Sequence, residues 1–452
     1  MSFHKQSHAV SKYLRNYSEH EALLLECLPK QYGHTVVIPL YDESFDVIVR
    51  LLNSNFSFTD SYSCHSIVFI LVVNCPEEGD EQAAARTVAL LDQLTEWARP
   101  VLNTENVAYG EFENGNGIII IDRCSDSKRI DKKQGVGLAR KIGADLACYL
   151  IFTKAVIGPW IHSTDGDVIL PPDYFSGVSR YAPASVFPGN SKHTPAALIY
   201  PFNHIPEKNY EVASALYDWS LRYYVECIRE AGSSYDYHTI GSLIAVDFVS
   251  YAKVRGFPKR SGGEDFYLLN KLAKVGQIVS LEAPVINVAA RPSQRVPFGT
   301  GPAICKITET KNAIENHLFY HPGIFRQLKI VYLLINNSWD LSKKMAPARV
   351  NDIVSALDLS AVHSPINAAT IGALDTLGFF SAWTHAVKQS SNVESFVKQM
   401  TIWFDAFKTL KFVHILRDHD YPSLTLKQVL QNTQILSDDL RVRATLLTSI
   451  PK

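Results

Sequence analysis

The 452-residue sequence has no Cys-x-x-Cys pair, no apolar run approaching a membrane span and no excess of either charge. Its seven cysteines, at 27, 64, 75, 124, 148, 227 and 305, are odd in number and scattered. That pattern argues against a zinc site or a disulfide framework and fits a reducing compartment. A formal net charge of −1 leaves no global basic field for nucleic acid and no acidic tail. The strongly apolar runs, such as Ser66–Val73, are of strand length, far short of the roughly 20 residues of a membrane-spanning helix. The first eight residues, Met-Ser-Phe-His-Lys-Gln-Ser-His, lack the apolar stretch of a secretory signal. These absences predict a cytoplasmic protein with no membrane span and no nucleic-acid partner.

What is present is an ordinary globular composition, 46% hydrophobic and 20% charged, in a chain long enough for a substantial core. At roughly 150 residues per domain the length predicts two or three domains. Residues 1–30 read as a helical lead-in ending at Pro29. His34–Leu40, Ser66–Val73, Gly117–Asp122 and Trp160–Ser163 are short, apolar and rich in β-branched residues. Helical patterns lie between them, at about 44–53, 81–98 and 132–155. This alternation predicts an α/β layer with a mainly parallel sheet. After about residue 305 the pattern is helical, over Ile324–Ile335, Ala348–Leu357, Ala368–Phe379, Val393–Phe407 and Leu426–Leu436. The predicted division is therefore 1–30, an α/β domain over 31–304, and a helical domain or extension over 305–452.

Open sheets of this kind hold ligands beyond the carboxyl ends of their strands. Asp42, Glu43, Asn74, Asp122, Asp165 and Asp167 all lie at such ends. Asp165-Gly-Asp167 closes a strand with two carboxylates that a turn at Gly166 brings to one point. Paired carboxylates suit a hard divalent cation, Mg²⁺ or Mn²⁺, and hence a diphosphate. The plain alternative is a ligand-free turn, since Asp and Gly are ordinary turn residues. Glu43 or Asp42 is placed to accept from a nucleotide's base or ribose, or the segment is a solvated loop in which Asp42 or Ser44 caps the helix that follows. Gly135-Val-Gly137-Leu-Ala-Arg140 opens a helix but carries Arg where a dinucleotide motif needs its third glycine. Arg140 can face a nucleotide's phosphates or base there, or lie on a solvated face. Glu264 and Asp265 follow Gly262-Gly263 at a helix start, as helix caps or as a general base toward a hydroxyl. Arg291 and Arg295, before Gly299 and Gly301, form either a linker or a lid whose cations meet phosphate.

In chain order these segments resemble the family-2-like glycosyltransferases of the GT-A fold. Val36-Val-Ile-Pro-Leu-Tyr-Asp-Glu43 is similar to that group's first strand and loop. Gly137-Leu-Ala-Arg-Lys-Ile-Gly143 is similar to its Ala-Arg-Asn-x-Gly helix, with Lys141 in place of Asn. Asp165-Gly-Asp167 matches its Asp-x-Asp motif, and Gly262-Gly-Glu-Asp265 resembles its Glu-Asp helix. The resemblance covers roughly residues 34–300. It implies a Rossmann-like GT-A domain that moves a sugar, a hexose above all, from a nucleoside-diphosphate sugar to an acceptor hydroxyl, with inversion. It further implies that Glu43 touches the nucleoside and Arg140 lines the donor pocket. Asp165 and Asp167 would hold Mn²⁺ or Mg²⁺, with Asp167 the direct ligand. Asp265 would be the base, with Glu264 the alternative. Ala283–Arg295 offers no histidine as a third ligand, so phosphate and water would complete the shell. Two other classes stand beside this reading. One is a non-catalytic sugar-nucleotide or glycan-binding protein of the same fold. The other is a nucleotidyltransferase, which would release pyrophosphate.

Overall fold

The computed structural model describes residues 3–449, apart from 26, 61, 63, 182–194, 345–346, 358–365 and 434–435. The described chain forms two compact units, one of residues 1–207 with 239–302, the other of 208–238 with 303–452.

The first unit is built on β1 (His34–Leu40), β2 (Ile67–Asn74), β3 (Leu102–Thr104), β4 (Val107–Glu111), β5 (Gly117–Arg123), β6 (Trp160–Ser163), β7 (Pro195–Ile199), β8 (Phe202–Pro206), β9 (Ile244–Asp247), β10 (Gln277–Ser280) and β11 (Ile286–Ala290). Nine of them make one sheet in the order β10-β7-β9-β6-β1-β2-β5-β4-β3. Its centre, β6-β1-β2-β5, is parallel, and β9 and β4 run antiparallel on either side. The α/β expectation with a mainly parallel sheet holds. β1 and β2 are buried along their whole length, as strands covered on both faces must be, which is why they read as unbroken apolar runs and do not alternate. Ser163, Leu40, Asn74 and Arg123 end the four central strands on one edge of the sheet. β9 runs the other way, so its start at Ile244 lies beside Ser163 on that same edge.

Five helices matter to the site or its support: α1 (Phe3–Asn16), α2 (Phe45–Leu52), α3 (Glu81–Ala98), α4 (Gly135–Phe152) and the helix Glu264–Leu272. Almost every residue of α4 is buried. It approaches β1 and β2 so closely that a Cβ at Gly143 would stand 2.5 Å from Cγ1 of Val37. The buried carboxylate of Asp145 on α4 accepts from Tyr13 (2.5 Å), Tyr251 (2.7 Å), Lys141 (2.7 Å) and the backbone N–H of Glu19 (2.8 Å). Thus Lys141, the residue that departs from the resembled helix, binds the N-terminal lead-in to the sheet's covering helix. A small parallel pair, β8 with β11, stands apart from the main sheet.

The second unit is helical. Its core gathers Trp219 and Tyr223 from helix Glu211–Glu230, Leu328 and Val331 from Pro322–Asn337, Met400 from Val393–Trp403 and Phe412 from Ala406–His419. The apolar stretch expected as one helix over 393–407 divides near Phe404, where Asp405 caps the next helix by accepting from the N–H of Lys408. The stretch expected to end at Phe379 turns at left-handed Gly378 and continues as a further helix, Phe379–Gln389. No helix among the described residues is long and apolar enough to cross a membrane.

Candidate active site

At the carboxyl edge of the sheet two arginine-centred clusters form. Arg140 reaches out of α4 and is almost wholly buried. Its Nη2 donates to Oδ1 of Asp165 (2.5 Å), its Nε to Oε1 of Glu264 (2.8 Å) and its Nη1 to Oγ of Ser163 (2.8 Å) and the carbonyl of Gly241 (3.4 Å). Burial alone would weaken its charge. The carboxylates of Asp165, Glu264 and Asp265 more than offset this, and the guanidinium holds its proton more tightly than usual. One cation therefore ties the end of β6 to the helix Glu264–Leu272.

The second cluster is more open. Arg291 follows β11 directly. Its Nε and Nη2 donate to Oδ2 of Asp167 (3.3 and 3.0 Å), and Nη2 also meets both oxygens of Glu43 at 3.2 Å. Arg295 donates to the carbonyl of Tyr41 (2.7 Å) and pairs with Glu43. The backbone sets this up, because Ile169 and Asn287 bond to each other as an isolated bridge (3.0 and 3.4 Å). That bridge brings the segment after Asp167 alongside β11, four residues before Arg291. The residues 291–301, expected as a lid or linker, thus lie latched to Glu43 and Asp167.

Asp265 stands beside Glu264 but is half-buried and, among the described residues, has no direct ion pair with a cation. One of its oxygens accepts from the N–H of Phe266 at 2.6 Å. Burial, then repulsion from Glu264, with a smaller contribution from Asp165, pushes its carboxyl up to about 7 against the pull of that N–H and of Arg140. Burial also raises Glu43, with Asp167 adding to the rise while Arg295 and Arg291 oppose it. Gly263 has φ +70° and precedes the helix. A Cβ there would lie 3.1 Å from the ring of Phe298, so a left-handed step and an overlying aromatic both call for glycine. Phe298 is 56% exposed. At Gly166 the expected reason for glycine is replaced. Its φ is not left-handed, and the site is close-packed instead, since a Cβ would meet the side-chain ends of Ile48 at 2.7 Å and Leu40 at 2.8 Å and make them shift.

Three residues expected beside the donor are engaged elsewhere. Asp42, with φ 56°, forms a two-pronged pair with Arg86 of α3 (2.7 and 3.0 Å). Asn74 is buried and donates to the carbonyls of Leu40 (3.0 Å) and Val72 (3.2 Å), tying β1 to β2. Asp122 accepts from the N–H groups of Cys124 (3.1 Å) and Ser125 (3.0 Å) and from Lys128 (2.9 Å), which outweigh burial and lower its pKa. Asp122 also lines a cleft of about 590 Å³ along α3 and β4, and no other expected site residue does. Ser163, Gly241 and Arg86 were missed by sequence reasoning. A serine two residues before Asp165 carried no signal of its own.

No group of three or more His, Cys, Asp and Glu side chains among the described residues could hold a metal ion. The donor chemistry nevertheless suits a hard cation, which needs only one or two carboxylates when phosphate oxygens complete its shell. Around the two clusters, Glu43, Asp165, Asp167, Glu264 and Asp265 face Arg140, Arg291 and Arg295. With all ionised, the described residues carry a formal excess of two negative charges there. Asp167 is the carboxylate such a cation fits, since its partner Arg291 is one-third exposed while Asp165 is held by buried Arg140.

No protein-family model and no curated protein matches this chain. Among solved structures it is similar to the mannosyltransferase PcManGT from Pyrobaculum calidifontis in complex with GDP-Man and Mn²⁺, at 13% identity over 92% of this chain and 97% of that one, with a TM-score of 0.35. It is also similar to GalNAc-T7 with UDP, GalNAc and Mn²⁺, at 15% identity over 58% of this chain and 44% of that one, with a TM-score of 0.33.

Proposed function

We propose that this chain is a GT-A-type glycosyltransferase that moves a hexose from a nucleoside-diphosphate sugar to an acceptor hydroxyl, with inversion, in the presence of Mn²⁺ or Mg²⁺. The observation that carries the reading is the pair of carboxylate–arginine clusters on one edge of the sheet, Asp167 and Glu43 with Arg291 and Arg295, and Asp165 and Glu264 with Arg140, Asp265 standing beside the second. Diphosphate and acceptor then have separate, chemically suited places.

Asp265 accepts the acceptor's proton as that hydroxyl attacks the anomeric carbon from the side opposite the leaving diphosphate. A carboxyl raised to about 7 suits a base working near neutral pH. Glu264 is the weaker candidate, since its charge is already neutralised by Arg140 at 2.8 Å. Arg140 orients Asp165 and Glu264 without itself titrating. Glu43 accepts from a hydroxyl of the nucleoside. Arg291 and Arg295 turn from carboxylates to phosphate oxygens, for which a planar guanidinium is well shaped. A divalent cation on Asp167, with Asp165 behind it, would stabilise charge on the departing nucleoside diphosphate.

The test is release of nucleoside diphosphate from UDP-, GDP- and dTDP-sugars by the full chain with Mn²⁺, after a thermal-shift screen to choose the donor. A donor bound by the native state alone raises its melting temperature. Binding without release under any acceptor would favour the non-catalytic sugar-nucleotide protein. Pyrophosphate release from a nucleoside triphosphate would favour the nucleotidyltransferase.

A further inference from the structure

We propose that Arg291 is a built-in counter-ion. In the donor-free protein it occupies the cation position on Asp167, so metal loading there and release of Arg291's end of the 291–301 strap are a single exchange. This rests on the cation reading above and adds to it a named competitor.

The first ground is geometric. One guanidinium spans two carboxylates from segments far apart in the chain, with Nη2 3.0 Å from Asp167 and 3.2 Å from each oxygen of Glu43. A cation on Asp167 would stand in that place. The Ile169–Asn287 bridge delivers Arg291 there through the backbone, so the contact does not depend on a wandering side chain.

The second ground is chemical. Arginine cannot lose its charge to make room. A metal ion can therefore take Asp167 only if Arg291 swings away, whereas a lysine or histidine in that place could deprotonate in place. Arg291 is one-third exposed, on the open side of its cluster, while Arg140 is buried among Ser163, Glu264, Asp165 and Gly241. A nucleoside diphosphate supplies the displaced guanidinium with a new anionic partner and brings two or more negative charges. Exchanging one positive charge for a divalent ion as the diphosphate arrives keeps the cluster near balance.

If strap and metal exclude each other on Asp167, each weakens the other's binding by the same factor. Removing the arginine removes the competition.

The experiment is titration of the full-length protein with Mn²⁺ alone, without nucleotide, read by calorimetry and by the paramagnetic resonance of free Mn²⁺. Arg291→Gln is expected to bind Mn²⁺ about 5- to 150-fold more tightly than the parent, and Arg291→Lys to fall between them. In the parent, Mn²⁺ alone is expected to speed hydrogen exchange across 291–298. Equal or weaker Mn²⁺ binding by Arg291→Gln overturns the proposal, as does absence of Mn²⁺ binding in all three proteins. Nucleoside-diphosphate release is measured separately. Tightened Mn²⁺ binding without any turnover keeps the counter-ion role and removes the transferase reading. Turnover without tightening does the reverse.

Discussion

Arg140 donates from Nε to Oε1 of Glu264 at 2.8 Å, and neither side chain is more than 5% exposed. The pair joins α4 to the helix Glu264–Leu272, two segments 124 residues apart. Removing one partner of a buried ion pair leaves the other as an uncompensated charge, at a cost of about 3–5 kcal/mol. Arg140→Ala is expected to lose stability on that scale in urea unfolding, because it strands buried Glu264, while Asp165, 36% exposed, can turn to water. Glu264→Gln should cost less, since the amide oxygen can still accept from Nε. A midpoint for Arg140→Ala within experimental error of the parent would show that the pair contributes little.

Asp265 separates catalysis from capping. Its substitution by Asn keeps the shape but removes the base, so transfer should fall by about 10²–10⁴-fold while donor affinity changes little and the fold is not destabilised. Were Asp265 only a helix cap, stability would fall by about 0.5–2 kcal/mol and turnover per folded molecule would persist. Glu264→Gln is the companion measurement. A loss of transfer confined to Glu264→Gln would move the base to the neighbouring residue.

The raised pKa of Asp265 has two consequences with opposite signs. A base must be ionised, so transfer is expected to rise about tenfold per pH unit up to about 7 and then level off. Stability moves the other way. The native carboxyl holds its proton up to about 7 while the unfolded one releases it near its ordinary value of 3.8. Between those pH values the folded state binds more protons, so this group's contribution is fully present below the lower value and is lost as pH rises through the upper one. Asp265→Asn should abolish both trends. A pH profile of transfer that is flat from 5 to 8 would contradict the assignment.

Asp167→Asn tests the cation. Replacing a ligand carboxylate by an amide weakens a hard-cation site. Metal-dependent donor binding should therefore disappear while the fold persists, because Arg291 still keeps Glu43 as a partner. Calorimetry of the donor with and without Mn²⁺ reads this directly. Full turnover by the variant at limiting Mn²⁺ would remove Asp167 from the metal role.

The central sheet was legible in the residues themselves. His34–Leu40, Ile67–Asn74 and Gly117–Arg123 are apolar and β-branched because a strand covered on both faces has no solvent side to mark. A strand's end is also visible in sequence, which is why Glu43, Asp165 and Asp167 could be placed on one edge. Which way a loop side chain turns there is a different matter. Asp42, Asn74 and Asp122 stand at equally good strand ends, yet Arg86, the Leu40 and Val72 carbonyls, and Lys128 with two loop N–H groups take them up. Those partners come from other segments or from local turns, and no spacing rule announces them. The same holds for the cations. The sequence shows Arg140 at a helix start and Arg291 after a strand, both near carboxylates. Only the tertiary fold buries the first among four partners and leaves the second on an open strap. Pairing depends on which segments pack together, and desolvation, which sets how firmly each pair is held, is a property of the packed whole.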